Sequence, residues 1–189
     1  MDRIQGGLMT WRNSRTHWGW LAILNHWLSV ILISVMIALG LWMVDLTYYH
    51  SWYHKAPELH KSLGLLLFAL TLFRLFWRLK DPRPIASGSH TNLEQLIARY
   101  VHLLFYILLL AIMISGYLIS TADGRSIEVF SWFEVPALFA GFEKQEDIAG
   151  DIHYWLTMGL IILVFLHSAA AVKHHIVDKD KTLKGILWK

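Results

Sequence analysis

Histidine is the residue type in this chain with the most chemistry to offer. The 189-residue sequence contains eleven histidines and no cysteine, so disulfides, iron–sulfur clusters and covalently attached c-type haem are excluded. An imidazole can ligate a metal or transfer a proton, and an ionisable side chain inside a membrane span is costly and usually functional. The histidines that fall within long apolar runs are His26, His60, His102, His153 and His167.

The spacing of the last two predicts two separate sites. His153 and His167 are fourteen residues apart in one apolar run. In an α-helix this interval places both imidazoles on one face, about 21 Å apart. One helix can therefore serve a site near each surface of a membrane.

The same interval of fourteen residues recurs in the other three apolar runs. Because successive membrane helices alternate in direction, the paired positions sort into two depths. The predicted inner level contains His26, Arg74, His102 and His167. The predicted outer level contains Gly40, His60, Gly116 and His153.

One pair of well-placed histidines per level, drawn at the inner level from three, suits axial ligation of haem iron better than a four-coordinate zinc site. Gly40 and Gly116, with Gly64 one turn after His60, would leave backbone free of side chains beside a bulky flat cofactor. Arg74 would pair with a haem propionate instead of facing lipid. The outer pair is then His60 and His153. At the inner level, spacing does not decide whether His26 or His102 joins His167.

The rest of the sequence is that of a membrane protein. Hydrophobic residues make up 56% and charged residues 16% of the chain, against about 45–50% and 25% in soluble domains. We predict an all-α, four-helix up-down bundle that forms one domain over residues 1–189. Its predicted spans are about 18–44, 59–79, 97–120 and 150–173, and the long outer loop 121–149 is expected to carry a short interfacial helix.

The basic residues predict the orientation. Thirteen of the seventeen Lys and Arg residues fall on the side that holds both termini. Since positive residues stay on the cytoplasmic side, both termini are expected in the cytoplasm. The net charge is only +3, and the basic residues are distributed by membrane side. The sequence therefore gives no reason to expect nucleic-acid binding.

An ordered set of short motifs carries a family resemblance. These are Asn25-His26-Trp27-Leu28, Glu58-Leu59-His60-Lys61, Arg74-x-x-Trp77-Arg78, His102 with Tyr106, His153-Tyr154-Trp155, Leu166-His167-Ser168-Ala169-Ala170 and Lys173-His174-His175. Together they resemble the bacterial cytochrome b561 family, the di-haem b-type four-helix membrane cytochromes, over residues 16 to 183.

This resemblance implies two haems b with bis-histidine ligation. His60 and His153 would bind the outer haem iron, and His26 and His167 the inner one. His102 would then lie near the inner haem edge, as a propionate partner or a quinone-pocket residue. The choice of His26 over His102 rests on the resemblance alone.

The resemblance also implies electron transfer between the quinone pool, ubiquinone or menaquinone, and an outer-side redox protein or substrate. Superoxide is one such substrate, although the acidic outer loop would repel this anion unless Lys55, Lys61 or Arg125 forms a positive path. Two alternatives stay open. One is a haem-bearing anchor subunit of a dehydrogenase or hydrogenase. The other is a haem-free, histidine-lined transporter of metal ions or protons.

Overall fold

Four long helices dominate the computed structural model, which describes residues 10–81, 84, 91–180 and 182–187. Each is long and apolar enough to cross a membrane, as the sequence predicts. They extend by up to five residues beyond the predicted spans, apart from the first, which is slightly shorter. Their bounds are Trp20–Met43 (α1), Lys55–Lys80 (α2), Asn92–Ser120 (α3) and Gln145–Ile176 (α4).

Local signals fix the ends of α2 and α3. Helix α2 stops at Lys80, and Asp81 adopts extended backbone, with φ −104° and ψ 135°. Asp81 precedes Pro82 in the sequence, and a residue before proline disfavours the helical conformation. Helix α3 begins with a capping box, in which Thr91 Oγ1 accepts from the Glu94 backbone N–H while the Glu94 carboxylate accepts from that of Thr91. Such a box satisfies two backbone donors at the start of a helix.

The helices pack in sequence order, α1 on α2, α2 on α3 and α3 on α4. At mid-depth their inner faces meet in a leucine layer formed by Leu67, Leu109 and Leu160, each under 10% exposed. The outer faces are apolar too: Ile31, Ile107 and Phe165 are more than half exposed. A surface of this kind suits lipid, which cannot satisfy polar groups.

The connection between α3 and α4 forms a small β-hairpin, so the expected interfacial helix is wrong. Strands Ile127–Val129 (β1) and Phe133–Val135 (β2) pair antiparallel. Each strand reads apolar–Glu–apolar, an alternation that is typical of a half-buried strand. The hairpin is fastened to α2, since Ser62 Oγ accepts from the Phe130 backbone N–H at 3.1 Å.

The opposite end of the bundle holds the first and the last segments that the structure describes. Arg12 Nε lies 2.8 Å from the buried Asp81 carboxylate, which also accepts from the Asn13 backbone N–H at 2.7 Å. The short helix Thr182–Ile186 (α5) packs nearby, where Trp27 Nε1 donates to the Ile186 carbonyl at 2.9 Å. We call this the terminal end of the bundle, and the other the hairpin end.

Candidate functional site

Two imidazoles face each other across the bundle at the hairpin end. The ring centres of His60 on α2 and His153 on α4 are 6.4 Å apart. Two metal–nitrogen bonds of about 2 Å, with about 1 Å from each nitrogen to its ring centre, place the rings on either side of one metal about 6 Å apart. At the observed separation, the two rings could therefore hold one metal ion between them.

The hydrogen bonds of His153 leave one ring nitrogen free to ligate. Its Nδ1 lies 2.9 Å from the Ile112 carbonyl oxygen, which can only accept, so the proton resides on Nδ1. The Ser115 hydroxyl lies 3.1 Å from the same nitrogen. Metal-bound histidines in proteins are oriented by such a bond, and it leaves the Nε2 lone pair available.

Two glycines lie against these imidazoles. A Cβ atom on Gly40 would lie 3.2 Å from His60 Cε1, and one on Gly116 would lie 3.1 Å from His153 Cε1. Both distances are tighter than ordinary contacts, so the glycines make room for the rings themselves. A Cβ on Gly64 would instead meet Met36 Cε at an ordinary 3.5 Å. In this arrangement the space at Gly40 and Gly116 is therefore taken up by imidazole.

A second polar cluster lies at the terminal end. The ring centres of His102 on α3 and His167 on α4 are 5.7 Å apart. His102 Nδ1 donates to the Ala98 carbonyl at 2.6 Å, which leaves its Nε2 lone pair available. Arg74 Nη2 lies 3.1 Å from His26 Nδ1, and because a guanidinium can only donate, this ring nitrogen accepts. The structure thus joins His102 to His167 and His26 to Arg74.

The leucine layer separates the two clusters. On α2, Leu67 lies seven residues from both His60 and Arg74, and on α4, Leu160 lies seven residues from both His153 and His167. Seven helical residues rise about 10 Å and return to nearly the same face. Each polar level is therefore about two helical turns from the apolar layer.

One polar group near the hairpin-end site was missed at the sequence level. Ser115 is buried and touches His153; its only signal is a polar residue beside Gly116 in an apolar run. At the terminal end, Arg78 lies over the Tyr106 ring at 5.4 Å. Just outside the membrane span, a hydrogen bond from Lys173 holds the pKa of Asp178 below its ordinary value, and His174 Nδ1 lies 2.7 Å from that carboxylate.

Comparison with known proteins identifies the family. The sequence model described as prokaryotic cytochrome b561 matches residues 17–189. The chain belongs to the prokaryotic cytochrome b561 family. It is a multi-pass membrane protein with a four-helix bundle, and its family binds haem b and carries electrons. These findings confirm the predicted family, fold and electron-transport role, and they favour a haem protein over a haem-free transporter.

Individual relatives within the cytochrome b561 family span almost the whole chain. Cytochrome b561 homolog 2 of Escherichia coli (strain K12) is 50% identical over 181 residues, 96% of each chain. Cytochrome b561 homolog 1 of the same organism is 24% identical over 84% of this chain and 89% of its own. The probable superoxide oxidase CybB of Yersinia pestis is 26% identical over 87% of this chain and 92% of its own.

Proposed function

We propose that this cytochrome carries electrons across the bacterial inner membrane through two haems b, one at each end of the bundle. One observation carries the proposal: imidazoles cluster at two depths, with the leucine layer between them. A single haem would leave the histidines of one cluster without a ligand to bind. Ionisable side chains buried in a membrane span are costly and are usually retained for a function.

The ligands of the hairpin-end haem are His60 and His153, supported by their ring separation of 6.4 Å and by the tautomer of His153. At the terminal end the family resemblance supports His26 and His167 as the haem ligands. This assignment requires the hydrogen bond between Arg74 and His26 to break. His102 then serves as a hydrogen-bonding residue beside the haem edge. Haem b supplies reversible one-electron chemistry at its iron, whereas the chain sets the potentials through burial and hydrogen bonds.

The terminal end is the cytoplasmic end and the side of quinone exchange in this proposal. The orientation follows from the excess of Lys and Arg on that side. Arg78 supplies a donor there for a ubiquinone or menaquinone carbonyl, and the His102 Nε2 lone pair can accept from a quinol hydroxyl. The hairpin end then faces the periplasm and its redox partner.

Superoxide is the proposed outer substrate, since one relative is named a probable superoxide oxidase. The charged side chains at the hairpin end indicate which cation could attract this anion. Arg125 is paired with Asp123 at 2.7 Å, and the backbone N–H of Arg125 lowers the pKa of that carboxyl. Arg125 therefore attracts an anion weakly, and Lys61, adjacent to His60, is the better-placed cation.

A redox protein docked on the hairpin is the second candidate, in which the chain anchors a larger complex. The observation that favours it is the exposed aromatic surface there, with Trp132 82% and Phe133 56% exposed. Exposed aromatic side chains are typical of interface anchors. Purification of a partner in fixed proportion to this chain would support this candidate.

Haem stoichiometry tests the proposed function directly. We expect a pyridine haemochrome assay on the purified protein to give two haems b per chain, with a b-type α-band on reduction. Acid acetone should extract all of the haem, because without cysteine there is no thioether attachment. A ratio of one, haem that resists extraction, or a colourless folded protein would each contradict the proposal.

Arg74 provides a test restricted to the terminal end. Replacing the guanidinium by an apolar side chain removes a positive charge that disfavours oxidised iron, so Arg74→Leu should lower the potential or the occupancy of the terminal-end haem. Redox titration should show the hairpin-end haem unchanged. If both haems keep their wild-type potentials, Arg74 acts only as an anchor at the membrane surface.

A further inference from the structure

Asn25 is a buried amide that lacks a hydrogen-bond partner. The residue is 5% exposed, and within the part of the chain that the structure describes, neither Oδ1 nor Nδ2 has a partner. An amide withdrawn from water without a partner is costly, and lipid cannot compensate. A side chain of this kind points to a bound group that completes its hydrogen bonds.

Helix geometry directs this amide into the bundle. Asn25 lies seven residues before Leu32 on α1 and so shares its face, and Leu32 packs against the leucine layer. Ser29, between them, is 4% exposed. The Asn25 side chain therefore continues the interior face of α1 toward the terminal end.

The depth of Asn25 matches that of the terminal-end cluster. It precedes His26 directly, so the two Cα atoms differ in depth by about 1.5 Å. At this level the Arg74 guanidinium contacts His26. The charged and titratable side chains that face this level from the other helices are Arg74, Arg78, His102, Tyr106 and His167.

The donors at this level fit a carboxylate. A guanidinium only donates, and the Asn25 Nδ2 group adds two N–H donors on a neighbouring helix. A buried carboxylate needs a positive charge and hydrogen-bond donors, and haem b carries two carboxylates on its propionates. We propose that Asn25 donates a hydrogen bond to a propionate carboxylate of the terminal-end haem. This inference rests on the proposed function, because it requires a haem at that level.

Infrared spectroscopy of labelled haem tests the bond itself. Cells supplied with 5-aminolevulinate, ¹³C-labelled at its carboxyl carbon, place the label in the propionate carboxyl groups. In redox-difference spectra of the purified holoprotein, Asn25→Leu should shift a labelled carboxylate band of one haem. The midpoint potential of the same haem should fall, because a carboxylate that has lost a hydrogen-bond donor favours oxidised iron.

Two further variants make the test specific. Ser29→Ala is the matched control, since Ser29 Oγ already donates to the backbone carbonyl of Asn25 at 2.7 Å. This variant should leave the labelled bands and both midpoint potentials unchanged. Asn25→Asp keeps the size of the side chain but replaces a donor by a carboxylate. It should lower the potential or the occupancy of the same haem further than Asn25→Leu does.

The outcomes separate this inference from the proposed function. If both haems are bound and Asn25→Leu leaves the labelled bands unmoved, the inference is wrong while the function stands. An effect of Asn25→Leu that appears only when quinone is added would overturn it in favour of a quinone contact. If the wild-type protein lacks the terminal-end haem, the proposed function itself fails.

Discussion

His60→Ala and His153→Ala should each remove the same haem, the one at the hairpin end, and leave the other bound. The ring centres of the two imidazoles are 6.4 Å apart, so either deletion would remove one of the two residues proposed to hold the same haem. We expect one haem per chain in each variant, and redox titration should show loss of the same wave in both.

Two controls belong with this pair. His50→Ala alters an exposed histidine of the α1–α2 loop and should keep both haems. Added imidazole should restore the missing haem in His153→Gly, because the free ligand can enter the space of the deleted ring; such rescue rules out general misfolding. If the two alanine variants lose different haems, His60 and His153 do not share an iron.

At the terminal end, His26→Ala and His167→Ala should remove the second haem, whereas His102→Ala should retain both. This expectation follows the family resemblance. In the structure, His102 is in ring contact with His167, with 5.7 Å between ring centres. The His102 Nε2 lone pair beside the haem edge could accept from a quinol hydroxyl, so His102→Ala should slow electron exchange with quinone.

Haem content, potentials and stopped-flow quinone kinetics of the three variants distinguish the alternatives. Loss of a haem in His102→Ala, with both retained in His26→Ala, would reverse the assignment and make His26 the quinone-site candidate. His17→Ala serves as the control at this end, because His17 is exposed and lies before α1. It should alter neither haem content nor kinetics.

The sequence predicts the four helices and the two polar depths well, because both follow from local periodicity. Intervals of seven and fourteen residues return to one helix face whatever the neighbours are. This regularity is why His60 and His153 could be paired before any contact was known. The family motifs add the cofactor, which periodicity alone does not provide.

Contacts between helices were harder to predict, since they depend on how the helices cross. The spacing places Gly40 at the depth of His60 and Arg74 at the depth of His26, but it does not show that either pair is in contact. The hairpin was missed because its aromatic content suggested an interfacial helix, although Ile127, Glu128 and Val129 alternate as a strand does. The pairing of Arg12 with Asp81 spans 69 residues and has no local signal.

The leucine layer has a consequence for energy coupling. An electron can tunnel through saturated hydrocarbon, but the side chains of Leu67, Leu109 and Leu160 offer a proton no group to occupy. Charge would therefore cross the middle of this protein unaccompanied. In the proposed cycle each turnover moves charge against or along the membrane potential, which is worth about 2.3 kcal/mol per 100 mV for a full crossing. If electrons cross the leucine layer as proposed, the rate of electron transfer would therefore depend on the membrane potential.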